Sequence, residues 1–274
     1  MNLLESLPTP LFSYKQNHYF QGMNIFSSIY LNTLFKTKVK QLLNALPCFK
    51  SNKYTTFLIV GHPRTGTSLL HTYLNSHWNV FSLNEPLAKT VDSKVLFKKQ
   101  SKIIHAVGFK YFYEYTEEVA KRNVFIELLK RDNIKIIKIE RKNYLRTYVS
   151  LRIAEKTNEW SSIETKQNTQ ADKKIRLTKE DCIRAFDQYK KNERDTDIII
   201  KEFNTPVYKI NYETLVVEPC KTMFAIQSFL GVMHRMPQSL LVRQNSEPLN
   251  MLIENYDDMK ESFSGTAFRI FFED

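Results

Sequence analysis

A short apolar run, Phe57–Val60, leads into Gly61-His62-Pro63-Arg64-Thr65-Gly66-Thr67-Ser68, and Leu69, Leu70, Tyr73 and Leu74 then recur at helical spacing. That reads as strand, glycine loop, helix. The chain holds six glycines, and two of them lie in this loop, five residues apart. A phosphate loop has the form G-x-x-x-x-G-K-[ST]. Both glycines and the final serine are kept here, Thr67 stands at the lysine position, and Arg64 places a cation inside the loop. A helix N-terminus offers free N–H groups and partial positive charge, so an anion sits there favourably. Gly66 lets the backbone pass close to it. Thr65, Thr67 and Ser68 add hydroxyls, and the Arg64 fork suits phosphate or sulfate oxygens. The missing lysine argues against a nucleotide triphosphatase. A strand–helix turn without any ligand is the competing reading of the same residues.

Downstream, strands and helices alternate. Strands are expected at Asn79–Leu83, Val107–Tyr113, Ile134–Glu140 and Pro206–Ile210. Helices are expected over 92–105, Thr116–Arg131 and Asn143–Lys156, from Thr178 to about Phe203, and in a last segment capped by Gly231. Such alternation implies an α/β fold with an open, mostly parallel sheet flanked by helices. Residues 157–177 are polar and read as a surface loop or a lid over a substrate. From Met23 to Leu46 apolar residues recur as in an amphipathic helix, which Pro47 ends. We therefore expect an N-terminal helical extension over 1–50 and a single domain over 51–274.

Composition narrows the function. With 274 residues, 42% of them hydrophobic, the chain can bury a sizeable core. A net charge of +11 favours an anionic partner. Three cysteines, Cys48, Cys182 and Cys220, form neither a disulfide framework nor a metal spacing. The histidines lack an HExxH pattern, so no metal site is expected. No apolar run is long enough to span a bilayer, no basic-then-apolar leader opens the chain, and no Asn-x-Ser/Thr acceptor occurs. A cytoplasmic location is the expectation.

A second cationic position lies far along the chain. Ile134–Glu140 ends at Arg141, and Ser150 follows nine residues later on the next helix. Ligands of open α/β sheets bind beyond the carboxyl ends of the strands, which is where Arg141 and the loop at 61–68 both fall. Two anion sites at one sheet edge suit a ligand with two separate phosphate groups. The alternative is that Arg141, Lys142 and Arg146 form a solvated basic face.

Gly61–Ser68 with Leu69-Leu70 resembles the 5′-phosphosulfate loop of PAPS-dependent sulfotransferases, where PAPS is 3′-phosphoadenosine 5′-phosphosulfate. Ile136–Ser150 resembles their 3′-phosphate motif. Asn84-Glu85-Pro86, Val107–Lys110, Leu151–Trp160, Tyr212–Leu215, Phe229–Val232 and Asn255-Tyr256 resemble the bacterial carbohydrate branch of the trehalose and Nod-factor type. The resemblance runs over roughly residues 56–260, and the first 50 residues match nothing in it. It implies a P-loop-like sulfotransferase fold. Arg64, Thr65, Gly66, Thr67 and Ser68 would hold the 5′-phosphosulfate, and Arg141 and Ser150 the 3′-phosphate. Arg243, in Arg243-Gln244-Asn245-Ser246, would close over the nucleotide, although the family's basic-basic-glycine pattern is absent. His62 stands where the family has a hydrophobic residue, and it has no assigned role.

Sulfuryl transfer needs fixed cations and N–H donors, and a base near the transferred group. Glu85 occupies the position of the catalytic Glu of the resembled branch; by itself it would read as a solvent-facing turn residue. His105 is the alternative base. Lys110 would stabilise charge on the sulfuryl group, or else point outward from its strand. Tyr111, Tyr113, Tyr115, Trp78 and Trp160 offer faces for sugar rings, or serve as ordinary packing residues. The first reading is thus a PAPS-dependent sulfotransferase acting on a carbohydrate or glycolipid hydroxyl and releasing adenosine 3′,5′-bisphosphate. A small-molecule or nucleotide kinase with a degenerate loop is the second. A basic nucleic-acid-binding protein is the third, though its basic residues are dispersed rather than clustered.

Overall fold

The computed structural model describes residues 35, 36, 38–40, 42, 43, 50–160, 173–239, 241 and 243–273. Among them seven strands form: β1 (Lys50–Ser51), β2 (Thr55–Gly61), β3 (Val80–Leu83), β4 (Gln100–Ser101), β5 (Ala106–Phe112), β6 (Ile134–Glu140) and β7 (Val207–Asn211). The main sheet has the order β3-β5-β2-β6-β7, and every pairing in it is parallel. β2 is central. The chain builds outward from it on one side through β3 and β5, then on the other through β6 and β7. The carboxyl end of β2 is thus the point where the strand order reverses, and a crevice opens there.

Helices cover both faces. On one, Phe57, Ile59, Ile137 and Ile139 pack against Leu70 and Leu74 of α1 (Thr67–Asn75) and against Met223, Ile226 and Leu230. On the other, Leu58, Val60, Phe109, Tyr111 and Ile136 pack against Val124, Phe125 and Leu128 of α3 (Val119–Leu129). Burial on both faces explains the unbroken run Phe57–Val60, all fully buried, and the adjacent buried pair Ile136–Ile137. At about 25 cal/mol per Å² such side chains contribute roughly 1.5–3 kcal/mol each. A third cluster joins α4 (Tyr144–Thr157) and α5 (Lys179–Glu202) to the C-terminal segment through Leu145, Val149, Phe186, Phe263 and Phe272.

The helix expected to start at Thr178 does so: its hydroxyl accepts from Asp181 N, and the helix runs to Glu202. Gly231 caps the helix Pro219–Leu230 at φ 74°. The helix expected over 92–105 is instead one short turn, α2 (Ser93–Leu96), followed by β4. Lys50 pairs with Ser101 and Ser51 with Gln100, so a partner distant in sequence takes those backbone groups. The helix expected from Thr116 begins at Val119, after a 3₁₀ turn over Tyr113–Thr116. There Thr116 is buried, and its hydroxyl meets that of Thr196 on α5 at 2.9 Å.

Residues 35, 36, 38–40, 42 and 43 are helical, and the rest of the expected 23–46 helix lies outside the described residues. Lys40 from this segment donates to Asn75 O at 2.7 Å and Val80 O at 2.8 Å. Residues 161–172 of the expected lid also lie outside the described residues. Its far end is anchored, because Ile175 bridges to Ile253. Among the described residues no helix is long and apolar enough to cross a membrane.

Candidate active site

The loop at 61–66 leaves β2 and enters α1 through Gly66, whose φ of 92° is left-handed. A Cβ at Gly66 would lie 2.5 Å from Cδ2 of Tyr212, so the ring that floors the loop admits only glycine above it. Arg64 is also left-handed, with φ 69°. The turn is held from inside: Thr65 Oγ1 donates to His62 O at 2.7 Å.

A cleft of about 260 Å³ opens over this loop. Arg64, Thr67, Ser68, Arg141, Ser150, Tyr212 and Arg243 all line it, together with Tyr73, Trp160 and Gln244. Residues separated by up to 180 positions in the chain therefore share one cavity. Gly66 lines it too, and Thr65 is buried behind the loop.

The two expected anion positions touch. Arg64 Nε donates to Ser150 Oγ at 3.0 Å, and Arg141 Nη1 lies 3.4 Å from Arg64 O. Arg64 also donates to Trp160 O at 2.6 Å and to Gln244 Oε1 at 2.7 Å. Arg141 stacks over the Tyr212 ring at 4.8 Å. Arg146, by contrast, is buried beneath the late loop and donates to Glu247 O at 2.8 Å and Asn245 O at 3.3 Å. It shapes the loop that brings Arg243 to the cleft. Lys142 alone of the basic trio is exposed.

The electrostatics are those of a site short of negative charge. Burial, and then Arg141, pull the Arg64 guanidinium below its usual value. Burial also pulls Arg141 down and Arg243 adds to this, while Tyr212 and Glu213 oppose it. Cations that lower one another's pKa are relieved when an anion enters.

At the other end of the loop, Lys110 projects from β5 and is 2% exposed, which excludes the outward orientation. Its Nζ donates to Ser68 Oγ at 3.0 Å and pairs with Glu85 Oε1 at 2.7 Å. Burial lowers the Lys110 pKa, Glu85 opposes that, and Arg64 adds to the lowering. Glu85 stays one-third exposed at the entry to the turn Pro86–Ala88. His105 precedes β5, where Ala106 pairs with Thr55 at the opposite end of β2. Six residues of strand, at about 3.3 Å each, separate that end from the loop. Tyr111 and Tyr113 are fully buried, and Trp160 is half exposed at the rim.

Sequence reasoning missed the contacts that hold the site: Gln244 on Arg64, Asn245 on Ser150 at 3.3 Å, Arg146 beneath the late loop, and Tyr212 beneath Gly66. Each joins distant segments, and no local pattern signals such a pairing. His62 faces away from the cleft's lining: it is 2% exposed and lies between Glu114 and Glu193.

No protein-family model matches the chain. Nodulation protein H of Rhizobium tropici is 26% identical to it over 243 residues, covering 79% of this chain and 92% of the relative. Nodulation protein H of Rhizobium meliloti strain 1021 is 24% identical over 242 residues, covering 79% and 94%. Among solved structures, a sulfotransferase from Alicyclobacillus acidocaldarius superposes with a TM-score of 0.47 at 17% identity, over 79% of this chain and 95% of that one. A mouse sulfotransferase complexed with PAP gives a TM-score of 0.32 at 17% identity, over 80% of this chain and 70% of that one. The likeness to nodulation protein H agrees with the Nod-factor-type resemblance drawn from the sequence.

Proposed function

We propose that this relative of nodulation protein H moves a sulfuryl group from PAPS to a hydroxyl of a carbohydrate or glycolipid. The observation that carries the reading is the single cleft in which Arg64, Arg141 and Arg243 crowd together over a helix N-terminus, with the Glu85–Lys110 pair against Ser68 at its end. The residues fit such a donor. The backbone N–H groups of α1 and the hydroxyls of Thr67 and Ser68 suit the 5′-phosphosulfate. Arg141, Ser150 and Arg243 suit the 3′-phosphate.

The donor supplies an activated sulfur bound to a phosphate oxygen. As the acceptor oxygen bonds to sulfur, that sulfur–oxygen bond breaks and adenosine 3′,5′-bisphosphate leaves. Glu85 takes the hydroxyl proton and is the better-sited base, since His105 lies at the far edge of the sheet. Lys110 and Arg64 hold fixed positive charge beside the oxygens where negative charge grows. Lys110 also orients Glu85 through their ion pair.

The kinase reading is weakened by Thr67 at the lysine position, and the nucleic-acid reading by a concave cluster of arginines rather than an open basic face. The experiment is a radiolabelled transfer assay from PAPS to short chito-oligosaccharides and to trehalose, run in EDTA. Label on an acceptor supports the reading. No label from PAPS, with label transferred from ATP in a parallel assay holding magnesium in place of EDTA, overturns it.

A further inference from the structure

His62 is the loop residue that the chemistry above leaves without a task. Its ring is wedged between those of Tyr113 and Tyr189, with centroids 4.6 and 4.5 Å away. Nδ1 lies 2.7 Å from Glu114 Oε1. Nε2 lies 3.3 Å from Glu193 Oε1, an ion-pair contact that is not aligned as a hydrogen bond. Glu193 is held in turn by Tyr144 OH at 2.8 Å. The His62 backbone carbonyl accepts the Thr65 hydroxyl that closes the loop. One residue thus ties the phosphate loop to the 3₁₀ turn after β5, to α5 and, through Glu193, to α4.

The charges around the ring favour a proton on it. Glu114 comes from the 3₁₀ turn, Glu140 and Lys138 from β6, and Glu193 and Asp197 from α5; Tyr113, Tyr144 and Tyr189 complete the surroundings. Lys138 is buried and already engaged by Glu140 and Asp197 at 2.9 and 2.8 Å. Glu140 and Asp197 thus take the ammonium, Glu114 and Glu193 face the imidazole, and the imidazole is the group able to supply a second cation. Burial pulls the imidazole pKa down, but contact with Glu114 and Glu193 outweighs it and holds the value above the usual 6.5. Glu193 shifts in the complementary direction: burial raises it, but His62, Tyr144 and Lys138 bring it below its usual value.

We propose that His62, protonated between Glu114 and Glu193, is a positioning residue that fixes the phosphate loop, and that nucleotide affinity depends on its proton. This rests on the nucleotide reading above. Below about pH 6.5 the clamp is complete. As pH rises through the raised histidine value the proton leaves, Glu114 and Glu193 face each other without a cation, and the loop loses its anchor.

The test is calorimetric titration with adenosine 3′,5′-bisphosphate from about pH 5 to pH 9 on three proteins: wild type, His62→Phe and Glu114→Gln. The wild-type to His62→Phe affinity ratio removes the ligand's own titration. That ratio should be about tenfold at the acid end, about 1.4 kcal/mol, and shrink through the histidine range. Glu114→Gln should move the midpoint to lower pH, and it carries the test if His62→Phe does not fold. A ratio independent of pH, or a midpoint unmoved by Glu114→Gln, overturns the inference alone. A wild type that binds no bisphosphate at any pH overturns the nucleotide reading, and this inference with it.

Discussion

Glu85 and Lys110 meet at 2.7 Å beside Ser68, so the proposed base and the nearest fixed cation form one unit. Replacing Glu85 with Gln keeps the shape and removes the base. We expect bisphosphate affinity to stay within about twofold while kcat falls about 10²–10⁴-fold, the range for losing a general base. Single-turnover transfer beside equilibrium binding measures both. Arg141→Ala should do the reverse. A charge-assisted contact contributes about 1.5–3 kcal/mol, so bisphosphate binding should weaken about 10–100-fold, as read by calorimetry. The place of Arg141 was legible in the sequence because it directly follows a strand, where topology limits where it can go, whereas Glu85 stood out only through the family resemblance and by itself read as a turn residue. Lys110 was half legible. The strand was plain, but its inward direction depended on Ser68 and Glu85 waiting inside. His62 carried no local signal, since its partners lie 52 and 131 positions away.

At the scale of elements, the α1 N-terminus is the critical junction. Gly66→Ala would put a Cβ in a left-handed residue and 2.5 Å from the Tyr212 ring. The conformation alone costs about 1–2 kcal/mol, and the clash displaces either the loop or the ring. Bisphosphate binding should be lost while the far-ultraviolet circular dichroism spectrum keeps its native shape. Thr178 caps α5 and is not part of the cleft's lining. Thr178→Ala should cost about 1 kcal/mol and lower Tm by roughly 2–4 °C in a thermal melt, with affinity unchanged. Strands and long helices were readable because periodicity and caps are local. Gln100–Ser101 was not: β1, fifty positions upstream, overrides the helical pattern there. Likewise the late loop carrying Arg243 takes its shape from Arg146 on α4, a contact invisible to any window of sequence.

For the whole molecule, the sheet order sets the function. β2 stands where the strand order reverses, so its loop, β6 and the late C-terminal loop converge on one crevice. The net charge of +11 read as a preference for anions, and the three arginines that line the cleft give that preference an address. Electrostatic capture of this kind weakens as the Debye length falls from about 30 Å at 0.01 M salt to about 3 Å at 1 M. Bisphosphate affinity should therefore drop steadily with ionic strength, and a flat salt profile in the same titration would argue against three cations acting together. The most direct test of the central claim is calorimetry with adenosine 3′,5′-bisphosphate beside AMP, in EDTA. The account predicts that the bisphosphate binds at least about tenfold tighter, a difference of about 1.4 kcal/mol, because only it can engage the loop and Arg141 together. Equal affinities, or binding of neither, would contradict it.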